Sequence, residues 1–207
     1  MKKMLFVLPM MLFAFTMFFQ TSAKAAVTTI NYVVKSGDTL NSIANQYQLG
    51  SDEILDVNPG LNSSNLTVGN TIKIPNLTEI KRLQEEVVRL TNVERSKVGL
   101  SPVVSDWKVS RVARYKANDM RDNNYFSHYS PTYGDPFIML TDFGIGFNKA
   151  GENIGGKKVT PQDVVNGWMA SETHRDTMLN PLYNKLGVGY SSGGVLGDYW
   201  VQMFIQG

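Results

Sequence analysis

The chain has no cysteine, which excludes disulfides, thiolate metal sites, a cysteine nucleophile and a lipid anchor on an N-terminal cysteine. Histidine is almost missing as well, so imidazole chemistry must use His128 or His174. Charge of one sign is not in excess. The 20 basic and 18 acidic side chains give +2, far from the clustered basic surplus of a nucleic-acid-binding domain. There is no Gly-x-Ser-x-Gly elbow, no phosphate-binding loop, no dinucleotide fingerprint and no His-Glu-x-x-His zinc helix. The glycine-rich stretch from Gly151 to Gly156 lacks the lysine and hydroxyl residue that would close a phosphate loop, and no strand is read ahead of it. What is present is ordinary for folded protein: 207 residues, 43% hydrophobic and 18% charged, enough for one domain or two small ones.

The N-terminus carries Lys2 and Lys3, an apolar run from Met4 to Phe19, and Ala23-Lys24-Ala25. A basic start, a short apolar stretch and a small-x-small end form a secretory signal peptide, expected over residues 1–25. The run is shorter than the roughly 20 residues a membrane-spanning helix needs. Cleavage after Ala25 would remove three lysines and no acid, taking the net charge from +2 to −1. The exported protein is then near neutral with no membrane span, and bulk charge does not hold it at a surface.

Residues 26–75 are poor in charge and rich in Asn, Ser, Thr and Gly. Ile30–Val34 reads as a strand, Ser36-Gly37-Asp38 as a turn with Asp38 capping a helix from Thr39 to about Tyr47, and Ser51 as the cap of a second helix ending near Asn58-Pro59-Gly60. Thr71–Ile74 reads as a last strand, stopped by Pro75. This order resembles a LysM domain, with Tyr32-Val33-Val34-Lys35-Ser36-Gly37-Asp38-Thr39-Leu40, Ile43-Ala44, Asn58-Pro59 and Val68 to Pro75 in place. The resemblance implies a βααβ module that binds N-acetylglucosamine-containing glycan, such as peptidoglycan or chitin. It implies a shallow groove with Gly37, Asp38 and Thr39 on one side and Asn65 and Leu66 on the other. Loop amides beside Leu66 suit acetamido groups, which want backbone partners and an apolar contact for the methyl. Turn and capping chemistry accounts for Gly37-Asp38-Thr39 whether or not sugar binds.

Residues 76–84 form a short connection and the start of a helix, in which Ile80, Leu83, Val87 and Leu90 recur at three- and four-residue spacing. Residues 85–207 form the second domain, read as helices first and then a hairpin of Leu186–Tyr190 and Tyr199–Ile205. Leu90-Thr91-Asn92-Val93-Glu94-Arg95, Phe126-Ser127-His128, Gly151-Glu152-Asn153-Ile154, Trp168 to Arg175 with Asn180, Gly187-Val188-Gly189 and Tyr199 to Phe204 occur in order. This segment resembles a bacterial member of the CAP superfamily (cysteine-rich secretory, antigen 5 and pathogenesis-related 1 proteins). The implied fold class is α+β, a small βααβ LysM module followed by an α-β-α sandwich.

In that family the matching motifs surround one cavity, and the polar positions here are His128, Glu152 and His174. Relatives with a second glutamate carry it where this chain has Ser171, with Glu172 one residue on. On one continuous helix Ser171 and His174 would share a face. Alternatively, Ser171 caps a new short helix that starts at Glu172, the preferred reading, and the positive helix end then keeps His174 neutral. Trp107, Trp168 and Trp200 suit core or cavity walls, with Trp200 open to exposure if its strand lies at an edge.

Two histidines and one glutamate are the ligand types of an open zinc site or the parts of a general base. The resemblance therefore implies two alternatives. In the leading one, the LysM module holds a CAP domain on peptidoglycan, and that domain acts by binding another envelope protein or a small apolar ligand. In the other, His128, Glu152 and His174 serve a peptidoglycan-acting or proteolytic hydrolase, with a divalent metal such as Zn or Mg held by the same residues. Either places the protein outside a bacterial cell, on the wall or a spore envelope.

Overall fold

The computed structural model describes residues 27–158 and 160–207. The expected signal peptide lies outside them. The first module pairs β1 (Thr29–Val33) antiparallel with β2 (Thr71–Pro75) and packs α1 (Leu40–Tyr47) and α2 (Ser51–Asp56) against them. Its core is Tyr32, Val34, Leu40, Ile43, Ala44, Leu49, Ile54, Ile72 and Ile74. Thr39, not Asp38, caps α1: Thr39 Oγ1 accepts from Ser42 N at 3.0 Å, and Ser42 Oγ accepts from Thr39 N at 2.9 Å. The Asp38 carboxylate turns back instead, accepting from Tyr32 OH at 2.8 Å and Lys35 N at 2.7 Å. At the second helix the cap position falls on Gly50 rather than Ser51, and Glu53 reaches back to accept from Gly50 N at 2.8 Å.

The connection is taut. α3 (Thr78–Lys97) begins three residues after β2 ends, with Leu77 and Ile80 packed on the LysM core and Val87, Val88 and Leu90 in the core of the second domain. One helix thus serves both modules. A second tie lies between α2 and α4 (Trp107–Asp122): the Arg114 guanidinium grips Glu53 at 2.8 Å, with side chains only 4% and 17% exposed. Tyr115 OH donates to Asp52 beside it, and Lys81 Nζ donates to Tyr47 O at 2.9 Å.

The second domain has three layers. A four-stranded sheet runs in the order β3 (Val104–Ser105), β5 (Lys185–Gly193), β6 (Gly197–Gln206), β4 (Lys149–Gly156). β3 is parallel to β5; the other pairs are antiparallel. Helices α3, α6 (Pro161–Ala170) and α7 (Glu172–Met178) cover one face, and α4 and α5 (Pro136–Asp142) the other. Covered on both sides, β6 reads as a near-continuous apolar run. Trp200 and Phe204 face α3 and α6, while Tyr199, Val201, Met203 and Ile205 face α4. Trp200 is therefore fully buried on a central strand, not exposed on an edge.

The strands β3 and β4 go beyond the expected hairpin. β4 is glycine-rich where side chains from α6 and from the loop after α7 press on it. A Cβ at Gly151 would come within 2.6 Å of Tyr183 OH, and one at Gly155 within 2.6 Å of Val164 Cγ2. On β5 the contact is backbone to backbone: a Cβ at Gly189 would meet Ala113 O of α4 at 2.1 Å. No helix among the described residues is long and apolar enough to cross a membrane.

Candidate functional site

The edge strand β4 places the expected polar residues. Its pleat sends Glu152 to the face covered by α4 and Asn153 to the face covered by α7. Glu152 is buried, its side chain 1% exposed, and Oε1 lies 2.7 Å from His128 Nδ1; the His128 side chain is 53% exposed. With the carboxyl ionised, Nδ1–H donates to it and Nε2 is the nitrogen left outside that bond. His174 is on α7, on the other face, its carbonyl accepting from Asn153 Nδ2 at 3.0 Å, and its ring is near enough to feel the His128 charge. The structure thus joins His128 directly to Glu152, with His174 in the same neighbourhood on α7.

Lys116 is the residue that sequence reasoning passed over. It is fully buried on the apolar stripe of α4, donates from Nζ to His128 O, and lies 5.4 Å from the Tyr125 ring centroid. Burial lowers its pKa against the attraction of Glu152 and Asp119. Burial pushes the Glu152 carboxyl above the ordinary glutamate range, opposed by the His128 hydrogen bond and the Lys116 charge. The site is therefore a buried acid and a buried base flanking an exposed ring.

The loop carrying His128 is held from beneath by Asp119, which had no assigned role in the sequence. Its Oδ2 accepts from Tyr125 OH at 2.5 Å and Ser130 Oγ at 2.6 Å; its Oδ1 accepts from Thr132 Oγ1 at 2.5 Å and Asn123 Nδ2 at 2.6 Å. Burial alone would raise this carboxyl, but the four bonds outweigh it and its pKa falls. On the opposite face a second chain runs from Asn153 to Gln202 at 3.2 Å and from Gln202 to Thr91 at 2.8 Å. Arg95 completes that side by donating to the carbonyls of Met178, Asn180, Tyr183 and Ser101, the first of these near the C-terminus of α7, where a cation is favoured. The Thr91-Asn92-Arg95 motif is therefore architectural.

The helix break at Ser171 occurs as preferred from sequence, with α7 starting at Glu172. Ser171 makes no side-chain capping bond, however. The pKa of His174 is lowered, but burial is the main cause and the nearby His128 the second.

A divalent metal does not fit these residues as they stand. Among the described residues no group of three or more His, Asp or Glu side chains is placed to hold an ion, so His128, Glu152 and His174 do not form the expected ligand set. Glu152 Oε2 is buried and unpartnered, as a ligand atom would be, but Nδ1 of His128 is already committed to Oε1. The Lys116 ammonium beside them also opposes a second cation.

In the LysM module, Gly37 takes a positive φ of +85° at the turn, and Asp38 and Thr39 are engaged as described above. Asn65 and Leu66 line a cleft of about 540 Å³ with Val57 to Leu61, Thr67 and Asn70 to Lys73, whereas Gly37, Asp38 and Thr39 are not in its lining. Asn65 is itself structural, donating to Gly60 O at 2.8 Å and accepting from Asn62 N at 2.7 Å.

Fold and cleft together define a two-module protein, a βααβ unit fused to an α-β-α sandwich with a polar site at the edge of its sheet. Residues 88–204 match the cysteine-rich secretory protein (CAP) family and residues 32–75 match the LysM domain, and the chain belongs to the CAP family. It is 48% identical over 128 residues to the uncharacterized protein YkwD of Bacillus subtilis strain 168, a match covering 62% of this chain and 49% of YkwD. It is 50% identical over 44 residues to the cortical fragment-lytic enzyme of the same organism, covering 21% of this chain and 10% of that one. A crystal structure of an extracellular SCP-domain protein from Bacillus anthracis superposes with a TM-score of 0.57 at 33% identity, covering 67% of this chain and 47% of that one. The chain thus spans about half the length of YkwD. The pairing of LysM with CAP supports a cell-wall-associated protein with a binding role.

Proposed function

We propose that this is a secreted bacterial wall protein whose LysM module binds N-acetylglucosamine-containing glycan, as in peptidoglycan, and presents a CAP domain that works by binding. The observation that carries the reading is the open cleft beside Asn65 and Leu66, on a module fastened to the CAP domain by Glu53–Arg114 and a shared α3. Relatives that include an extracellular protein and a cortical fragment-lytic enzyme agree with an envelope location, on the wall or a spore envelope. The CAP surface around His128 suits recognition of an envelope protein or a small apolar ligand: Phe126 and Tyr129, close to it in the chain, stand 46% and 67% exposed. The test is sedimentation of the full chain with insoluble peptidoglycan and competition by chito-oligosaccharides. Co-sedimentation relieved by the oligosaccharide supports the reading; a folded protein that stays in the supernatant refutes it.

One observation favours hydrolysis as a second reading. The 2.7 Å pair commits Nδ1 of the half-exposed His128 ring to Glu152 and leaves Nε2 as the nitrogen a general base would use. In this reading Glu152 fixes the tautomer, Lys116 offsets its charge, and no step passes through a metal. Release of soluble muropeptides or peptides from wall or casein, lost in His128→Ala, would establish it.

A further inference from the structure

A second cavity, of about 690 Å³, lies between the modules. Its LysM side is made by Thr28 and Thr29, by Glu53 and Asp56 on α2, and by Val57 and Lys73. Its CAP side is made by Arg114, Asn118, Arg121 and Asp122 on α4 and by Tyr190, Ser191 and Ser192 on β5. Val57 and Lys73 also line the LysM cleft, so the two concavities meet along one shared wall. That wall is rigid, because the Asn58 side chain accepts from Lys73 N at 2.8 Å and donates to Lys73 O at 2.7 Å.

The lining is mixed in a telling way. Cations and acids both line the cavity, together with the apolar surfaces of Leu77, Ile80 and Tyr190. Some charges are already paired: Glu53 with Arg114, and Arg121 with Asp122 at 2.7 Å and with Ser191 Oγ at 2.6 Å. Asp56 and Lys73 are exposed and form no ion pair with the described residues, so they are available to a ligand. A chitin-type glycan has no charge to meet them, and a glycan freed of its peptide by amide hydrolysis keeps a carboxylate for Lys73 but no ammonium group for Asp56. A short peptide meets both, when it carries carboxylates, an ammonium group and small apolar side chains.

The geometry points to the interdomain cavity as a subsite for a short charged peptide amide-linked to the glycan, adjoining the LysM cleft that takes the sugar. The ligand class is thereby a glycopeptide of the peptidoglycan type rather than chitin. The inference rests on the glycan-binding reading of the LysM module. It uses the fixed relation of the two modules, since the cavity has walls from both.

The experiment titrates the full chain, by calorimetry, with one disaccharide-peptide repeat of peptidoglycan and with the same glycan after its peptide has been removed by amide hydrolysis. The peptide-bearing ligand is expected to bind at least tenfold more tightly. Asn118→Trp, which fills the cavity, and Asp56→Asn, an exposed change that leaves packing alone, should shrink that gain while leaving affinity for the bare glycan intact. Equal affinity of the native chain for both ligands overturns the inference and leaves the wall reading standing, as does a full gain retained in Asp56→Asn and a folded Asn118→Trp. If Asn118→Trp does not fold, Asp56→Asn decides alone. Failure of either ligand to bind removes the glycan reading and this inference together.

Discussion

Replacing Asp119 by alanine removes the acceptor under the His128 loop, and the structure sets the size of the effect. Four donors converge on one carboxylate at 2.5–2.6 Å. A hydrogen bond to a charged group contributes roughly 1.5–3 kcal/mol, and a donor left buried without a partner costs about 1–3 kcal/mol. Ser130 is 1% exposed and finds no water, whereas Asn123 is exposed and does. Discounting the solvated partners leaves a loss of about 3–5 kcal/mol, in the range for breaking a buried charged network. Because folding lowers this carboxyl's pKa, its contribution is full above the unfolded value of about 4 and is lost as pH falls toward the folded value. The gap between native chain and variant should therefore be wide at pH 7 and close under acid. Urea unfolding at several pH values measures it, and loss of the His128–Glu152 coupling in the ring NMR signals should accompany it. A loss under about 1 kcal/mol at pH 7 would show that the loop stands without this carboxylate.

Three further outcomes follow from the same contacts. The His174 ring, lowered by burial and by His128, should titrate below 6.5 in an NMR pH series, and stability linked to it should hold above that value and be lost as pH falls through it; a midpoint at or above 6.5 contradicts the packing described. Gly189→Ala should cost about 3 kcal/mol or more by chemical denaturation, because the new methyl meets the α4 backbone at 2.1 Å and no side chain can swing aside; near-native stability would mean α4 is free to slide. Arg114→Ala leaves Glu53 at the module interface without its cation and should cost roughly 2–4 kcal/mol, with separate tumbling of the two modules appearing in 15N relaxation; unchanged joint tumbling would assign the coupling to α3 alone.

Elements with a strong periodic signal were legible from sequence. The spacing of Ile80, Leu83, Val87 and Leu90 marks α3, and the apolar run from Tyr199 to Ile205 marks β6. β4 was not, because Gly151, Gly155 and Gly156 give it no strand propensity; its identity comes from the eight-residue pairing with β6. The cap of α1 was misplaced by one residue, since Asp38 and Thr39 both suit the role and only Ser42 three positions on favours the threonine. At the site, His128, Glu152 and His174 were named from the resemblance of their motifs to the CAP family, with which the scarcity of histidine agrees. Lys116 had a readable signal, a lysine among Val109, Val112, Ala113, Ala117 and Met120 on one helical stripe. Asp119 had none, because its partners come from a loop whose course depends on tertiary contacts.

The helix that leaves the first module and enters the core of the second has a mechanical corollary. With no slack between them, the sandwich cannot roam around its attachment point as it would on a flexible tether, where reach grows with linker length. On the proposed reading, in which the small module grasps a glycan strand, the polar edge of the sandwich sits at one fixed height and bearing from that strand, so neighbours on the same polymer would be sampled only as the strand itself bends. Slipping a glycine-serine spacer between Asn76 and Leu77 would trade this fixed bearing for range.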